Sequence, residues 1–247
     1  MTEAYAIGDV HGQLELLRAA HDLVEQDRAA HAAPDAPLIH VGDLVDRGPN
    51  AAGVLEFLTT RHASDPRLIT LLGNHDRMFL WFVREGHEDP RLFSDLSYRN
   101  PRIGGDKTFL SYGVDPTGSM EEVRAEAIAA VPAHHLDFIA TRPLTHQTSQ
   151  AFFCHAGVRP GVPLAAQDTE DLLWIREGFM EDTTDHGALI VHGHTPVGVD
   201  EMHHSNHLDI DTGAAFGGPL TVVAMEGRSV WRLTETGRVP VPDPRAA

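Results

Sequence analysis

The chain is predicted to be an α/β protein, on three observations. Within the first 83 residues an apolar run of strand length passes three times through a polar, glycine-containing loop into a segment of helical spacing. The last third instead alternates in short apolar runs divided by glycine turns, as antiparallel strands do. With 42% hydrophobic residues, 247 positions can bury a large core, so one domain, 1–247, is expected, with 85–141 as an insertion.

The first strand, Ala4 to Ile7, ends in Gly8-Asp9-Val10-His11-Gly12, and Leu14, Leu17, Val24 and Arg28 follow with helical spacing. An Asp-x-His pair between glycines lets a carboxylate oxygen and an imidazole nitrogen reach one ion while the backbone turns sharply. An N-cap aspartate beside an unrelated histidine accounts for these five residues equally well. The second strand, Pro37 to Val41, delivers Gly42-Asp43-Leu44-Val45-Asp46-Arg47-Gly48-Pro49-Asn50 at its carboxyl end, where open α/β sheets place ligands. Alone, that run reads equally as a surface turn. A helix from Ala51 to Arg61 follows. The third strand, Arg67 to Leu72, meets Gly73-Asn74-His75-Asp76 and a helical run, Met78 to Val83. Right-handed crossovers in a parallel βαβαβ array bring these junctions to one sheet edge, so their polar residues converge.

Residues 85–141 break the rhythm. Gly104-Gly105, Tyr112-Gly113 and Pro116-Thr117-Gly118 mark loops around helices at Met120 to Ala130 and His135 to Ala140. The segment carries no clear chemistry. It reads either as a helical cap over the site or as packing alone, with His134 and His135 on the surface. Strands are expected at Leu144 to Thr148 and Ala151 to His155, with Cys154 as inert core. A loop carries Trp174-Ile175-Arg176-Glu177, and a strand from Ala188 to Val191 ends in His192-Gly193-His194-Thr195-Pro196. Antiparallel strands are expected at Leu208 to Ile210, Leu220 to Met225 and Ser229 to Leu233, with a frayed tail from Val239.

A net charge of −17, with no basic run, excludes a general nucleic-acid binder, whose affinity rests on clustered Lys and Arg. One cysteine allows neither an intrachain disulfide nor a cysteine-rich zinc site, which suits a reducing compartment. No apolar run approaches a membrane span, and the first strand starts too close to Met1 for a signal peptide. A cytoplasmic location without membrane attachment is expected. The 17 histidines and 36 acids supply abundant ligands, most of them solvated surface.

The strand-ending residues Asp9, His11, Asp43, Asn74, His155 and one of His192 or His194 form an oxygen and imidazole set without thiolate, enough for two divalent ions bridged by one carboxylate. Two ions roughly 3.5–4 Å apart activate a water and hold both the attacking and leaving oxygens of a phosphoryl displacement. Arg47 and Arg176 would bind the non-bridging phosphate oxygens. His75 would be the acid for the leaving oxygen, oriented by Asp46.

In order, GDVHG, GDLVDRGPN, GNHD, HAG at His155 to Gly157 and GHT at Gly193 to Thr195 resemble the metallophosphoesterase superfamily, most closely the phosphoprotein phosphatases of calcineurin-like fold in their bacterial and phage forms. The motifs span residues 8 to 195. The resemblance implies a four-layer α/β/β/α sandwich with two central mixed sheets. It also implies a first metal on Asp9 and His11, a bridging Asp43, and a second metal on Asn74, His155 and His194. His75 and Asp46 match the catalytic pair, and Arg47 and Arg176 the phosphate-binding arginines; His192 is left to packing. The implied metals are manganese, with iron and zinc as alternatives. Two departures bear on substrate. Pro196 stands where wider relatives place another histidine, and Leu72 replaces the arginine that eukaryotic members carry before Gly-Asn-His. The expected activity is a serine/threonine-type phosphomonoesterase acting on a phosphorylated protein or small phosphoester, on the strength of Asp46. Symmetrical dinucleoside tetraphosphate hydrolysis is the alternative, and an inactive metal-binding module a third reading.

Overall fold

The computed structural model describes residues 1–92 and 96–246. Three parallel neighbours, β1 (Ala4–Ile7), β2 (Leu38–His40) and β3 (Leu68–Thr70), are linked by α1 (Leu14–Ala30) and α2 (Ala51–Ser64). After β3 come α3 (Asn74–Leu80), a π-helical turn at Trp81–Glu85, α4 (Gly105–Ser111), α5 (Met120–Ala130) and α6 (Ala133–Ala140). A second sheet of four strands runs β4 (Thr145–Gln147), β5 (Ala151–Cys154), β6 (Leu189–His192), β7 (His207–Asp209), with α7 (Thr169–Trp174) between β5 and β6 in the chain. The last strands, β8 (Val222–Glu226), β9 (Ser229–Thr234) and β10 (Gly237–Val241), return to the first sheet, whose order is β10-β9-β8-β1-β2-β3. No helix among the described residues is long and apolar enough to cross a membrane.

Strand alternation builds the layers. Tyr5, Ile7, Leu38, Val222 and Ala224 face a core shared with the helices, whereas Ala4, Ala6, Ile39, Val223 and Met225 face Phe153, Val191 and Leu208 of the second sheet. Phe152, Cys154 and Ile190, on the outer face of the second sheet, pack with Leu172 of α7 and Phe179. The result is an α/β/β/α arrangement of two mixed sheets.

Several elements differ from the sequence reading. β7 pairs in parallel with β6, not antiparallel, because residues 193–206 form a crossover and not a hairpin. The tail is ordered through Val241 as β10, an edge strand, where the missing N–H of Pro240 is tolerated. The Gly104-Gly105 pair starts α4 instead of marking only a loop, and Trp174 closes α7. α3 begins at Asn74 and not at Met78, since the Asp76 carboxylate accepts from the Gly73 N–H at 3.0 Å and closes the first turn. Asn74, His75 and Asp76 therefore project from a helical turn, with fixed directions.

Candidate active site at the strand ends

The carboxyl ends of β1, β2 and β3 lie side by side, and the polar loops that follow them interlock. Val10 and His11 N–H groups donate to the Asp43 carbonyl at 3.1 and 2.8 Å, and Leu44 N–H donates to Asp76 Oδ1 at 2.8 Å. The approach is close enough to require glycine. A Cβ on Gly73 would meet Asp43, and one on Gly48 would meet the His11 carbonyl. His11, Asp43, Asp46, Arg47 and His194 all hold positive φ, between 43° and 72°, a strained conformation for residues with a Cβ and one that concentrates at functional sites.

Two groups of side chains share Asp43. His11, Asp43 and His75 form one, and Asp43, His155 and His194 the other, each with ligand atoms within 4.8 Å of one another. Asp43 Oδ2 lies 3.4 Å from His11 Nε2, and its Oδ1 lies 3.3 Å from His155 Nε2, so one carboxylate turns an oxygen toward each group. Asn74 Oδ1 faces His155 Nε2 at 2.8 Å and His194 Nδ1 at 3.1 Å. Asp9 stands beside these groups: its Oδ2 accepts from the His194 N–H at 3.0 Å, and its buried Oδ1 has no hydrogen-bond partner among the described residues.

The donor set fits divalent cations. His11 and His155 each donate Nδ1–H to a carbonyl, of Val45 at 2.8 Å and Val41 at 2.9 Å, which leaves their Nε2 lone pairs directed inward. At His155 that lone pair meets the Asn74 amide oxygen, two acceptors with no proton between them. At His11 it meets the Arg47 guanidinium at 2.6 Å. Burial holds the imidazoles of His11, His155 and His194 below their usual range, and neutral imidazole is the ligand form. Burial alone would push the Asp43 carboxyl up; His155, His75, His11 and His194 outweigh it and hold it well below the carboxylate range. Burial, then the charges of Asp211 and Asp43, push Asp9 up.

His75 donates from Nδ1 to Asp46 Oδ2 at 2.7 Å, its ring edge-on to His11, with Nε2 turned to Arg47 Nη2 at 2.9 Å. Arg47 thus lies between His11 and His75, over the Phe216 ring. Arg176 donates to the His194 carbonyl at 3.2 Å and lines the same cleft. All ten residues singled out in the sequence therefore meet at one edge. His192 does not: its ring is buried between Phe179 and His207.

Other participants escaped the sequence reading. The Tyr98 hydroxyl and Thr108 Oγ1, the latter at 2.6 Å, both donate to Asp46 Oδ1, and Thr108 also accepts from the Asp46 N–H at 2.8 Å. Residues 85–141, which showed no clear chemistry, thus reach the partner of His75; nothing local to Tyr98 or Thr108 signals this. Asp76 ties the second and third loops together, and burial followed by the Asp43 charge pushes it up to about 8. Asp211, just past β7, is pushed up to about 6 by burial and lies near enough to feel Asp43. The cleft itself is lined by Arg47, Arg91, Arg102 and Arg176 with Met78 and Trp174, so four guanidiniums gather at one opening of an acidic protein.

Residues 4–220 match the calcineurin-like phosphoesterase family. The chain belongs to that family. It is a metallophosphoesterase, a hydrolase of phosphate esters of a family that uses divalent metal ions, and the two groups around Asp43 are where ions could bind. An asymmetrical bis(5'-nucleosyl)-tetraphosphatase of Bacillus thuringiensis is 26% identical over 247 residues, covering 88% of each chain. A symmetrical bis(5'-nucleosyl)-tetraphosphatase of Methylococcus capsulatus is 29% identical over 160 residues, covering 63% of this chain and 43% of that protein. The crystal structure of a cold-active protein-tyrosine phosphatase from a Shewanella species shares the fold at a TM-score of 0.62 and 15% identity, covering 98% of this chain and 81% of that one.

Proposed function

We propose that the chain hydrolyses a phosphate chain between nucleosides, a dinucleoside polyphosphate, at a dinuclear centre held by Asp9, His11, Asp43, Asn74, His155 and His194. The observation that carries this reading is the four-arginine cleft opening beside His75. One phosphoryl group needs one or two guanidiniums, whereas Arg91 and Arg102, beyond Arg47 and Arg176, suit further phosphates of an extended polyanion. The names of the relatives support the same class. Two divalent ions, manganese foremost, would supply Lewis acidity and an acidified water. Arg47 and Arg176 would draw charge from the non-bridging oxygens. His75, positioned through Asp46, would hand a proton to the leaving oxygen at Nε2, about one hydrogen bond from Arg47. A cytoplasmic location, where nucleotides are plentiful, belongs to this reading, as does a single domain whose residues 85–141 cover the site.

The second reading, a serine/threonine-type phosphomonoesterase, led on the sequence alone and is favoured by the His75–Asp46 pair at 2.7 Å. Purified protein with manganese, offered diadenosine tetraphosphate, a phosphopeptide and a chromogenic phosphomonoester in parallel, separates them. A kcat/KM at least about a hundredfold higher for the tetraphosphate, ~2.7 kcal/mol in the transition state, is expected. Equal or higher values for the monoesters would install the second reading. Products would report the bond cut: ADP alone for a symmetrical cut, AMP with ATP for an asymmetrical one. In either case His75→Asn should lower kcat by about 10²–10⁴-fold with metal content unchanged; full turnover in that variant removes His75 from the chemistry.

A further inference from the structure

We infer that Glu56, His134 and His135 form a separate binding site for one transition-metal ion of the zinc class, joining α2 to α6. His134 and His135 were expected at the surface without a role. His135 is instead 2% exposed, and both Nε2 atoms lie 3.0 Å from the same oxygen, Oε2 of Glu56. The three ligand atoms fall within 4.8 Å of one another.

Chemistry and geometry agree on the ion. Two imidazoles and one carboxylate are a zinc donor set that leaves a coordination position for water, and the exposed sides of Glu56 and His134 provide that opening. The rings cross edge to face at 4.5 Å, so their lone pairs meet at one point without the rings stacking. His135 is also held from behind: its Nδ1 lies 2.8 Å from the half-buried Tyr112 hydroxyl, the outer hydrogen bond that fixes a ligating histidine with Nε2 forward. Both histidines lie in the first turn of α6, so the helix backbone fixes their positions relative to one another. An ion there would clamp the helical segment 85–141 to the body of the protein at a point that shares no residue with the site at the strand ends.

The test is metal stoichiometry of the full chain dialysed against Zn²⁺, for wild type, His134→Ala, Glu56→Gln and His87→Ala, an exposed histidine outside the cluster. Wild type and His87→Ala should hold one more zinc per chain than either cluster variant. His134 is half exposed, so its replacement leaves the fold intact, which the unfolding temperature without metal verifies. In an Asp43→Asn background, Zn²⁺ should raise the unfolding temperature by several degrees, and adding His134→Ala should abolish that rise. Equal zinc content in all four proteins, or an equal loss in His87→Ala, would overturn the site.

Discussion

Two clusters of histidines, buried but for the half-buried His62, lie at different places around the first sheet, and they differ in what stands beside them. At the strand ends His11, His75 and His155 each lie within 4.0 Å of a carboxylate, from Asp43 or Asp46. On the helical face of β2 and β3, His21 Nε2 meets His40 Nε2 at 3.0 Å, His40 Nδ1 meets Thr70 Oγ1 at 3.3 Å, and Thr70 meets His62 Nε2 at 2.9 Å. Among the described residues no carboxylate forms an ion pair with these three; the charges that act on His21 and His62 are mainly those of Arg61, Arg28 and Arg142. The same side chain thus serves opposite ends. Carboxylates at the strand ends make a place for cations, whereas the second cluster is uncharged packing held by hydrogen bonds. Seventeen histidines in a sequence carry no sign of this division.

Removing the carboxylate that unites the first cluster should erase its distinction. Asp43→Asn keeps the shape and deletes the charge facing both imidazole groups, and should lower kcat/KM by at least about 10³-fold, ~4 kcal/mol, with loss of bound metal. Metal analysis beside turnover checks it. Retention of both would mean that the histidines alone define the site.

A smaller effect probes how the helical segment reaches that cluster. Tyr98→Phe preserves the ring packed against Phe79, Phe82 and Phe109 and deletes one donor to the carboxylate of Asp46. A hydrogen bond to a charged group is worth about 1.5–3 kcal/mol, so kcat should fall about tenfold or more while KM and metal content stay put. Thr108→Val should act in the same direction. If both variants turn over like the wild type, residues 85–141 pack against the site without positioning its groups.

The strand-end cluster was legible because each residue follows a strand within a run of a few positions, and strand, loop and helix order dictates where such runs meet. Asp9, Asp43 and Asn74 could be placed that way. Tyr98 and Thr108 could not, since they meet Asp46 across 52 and 62 residues of chain with no periodicity to announce it. The same holds for His135 and Glu56, 79 residues apart. Strand direction was also hidden: Leu208 alternates as an antiparallel strand would, yet the crossover from β6 makes β7 parallel. The strained φ of His11, Asp46 and Arg47 has no sequence signature at non-glycine residues.

The second cluster offers the subtlest test, through pH. Burial pushes His21 down to about 3 and His62 to about 4, both below the 6.5 of an exposed imidazole. Above pH 6.5 the rings are neutral whether the chain is folded or not, and their packing contributes fully. As pH falls below 6.5 the unfolded chain takes up protons that the folded chain refuses, so stability drops with each such histidine until pH reaches the folded-state value, with solvent screening softening the loss at half-buried His62. His62→Gln retains a partner for Thr70 Oγ1 and removes one titration. In chelator, to silence the strand-end site, unfolding temperatures at pH 7.5 and 5.0 should therefore lie closer together in His62→Gln than in wild type. An unchanged gap would mean that His62 titrates as if in water, and that the contrast between a cation-holding cluster and a neutral one is drawn in the wrong place.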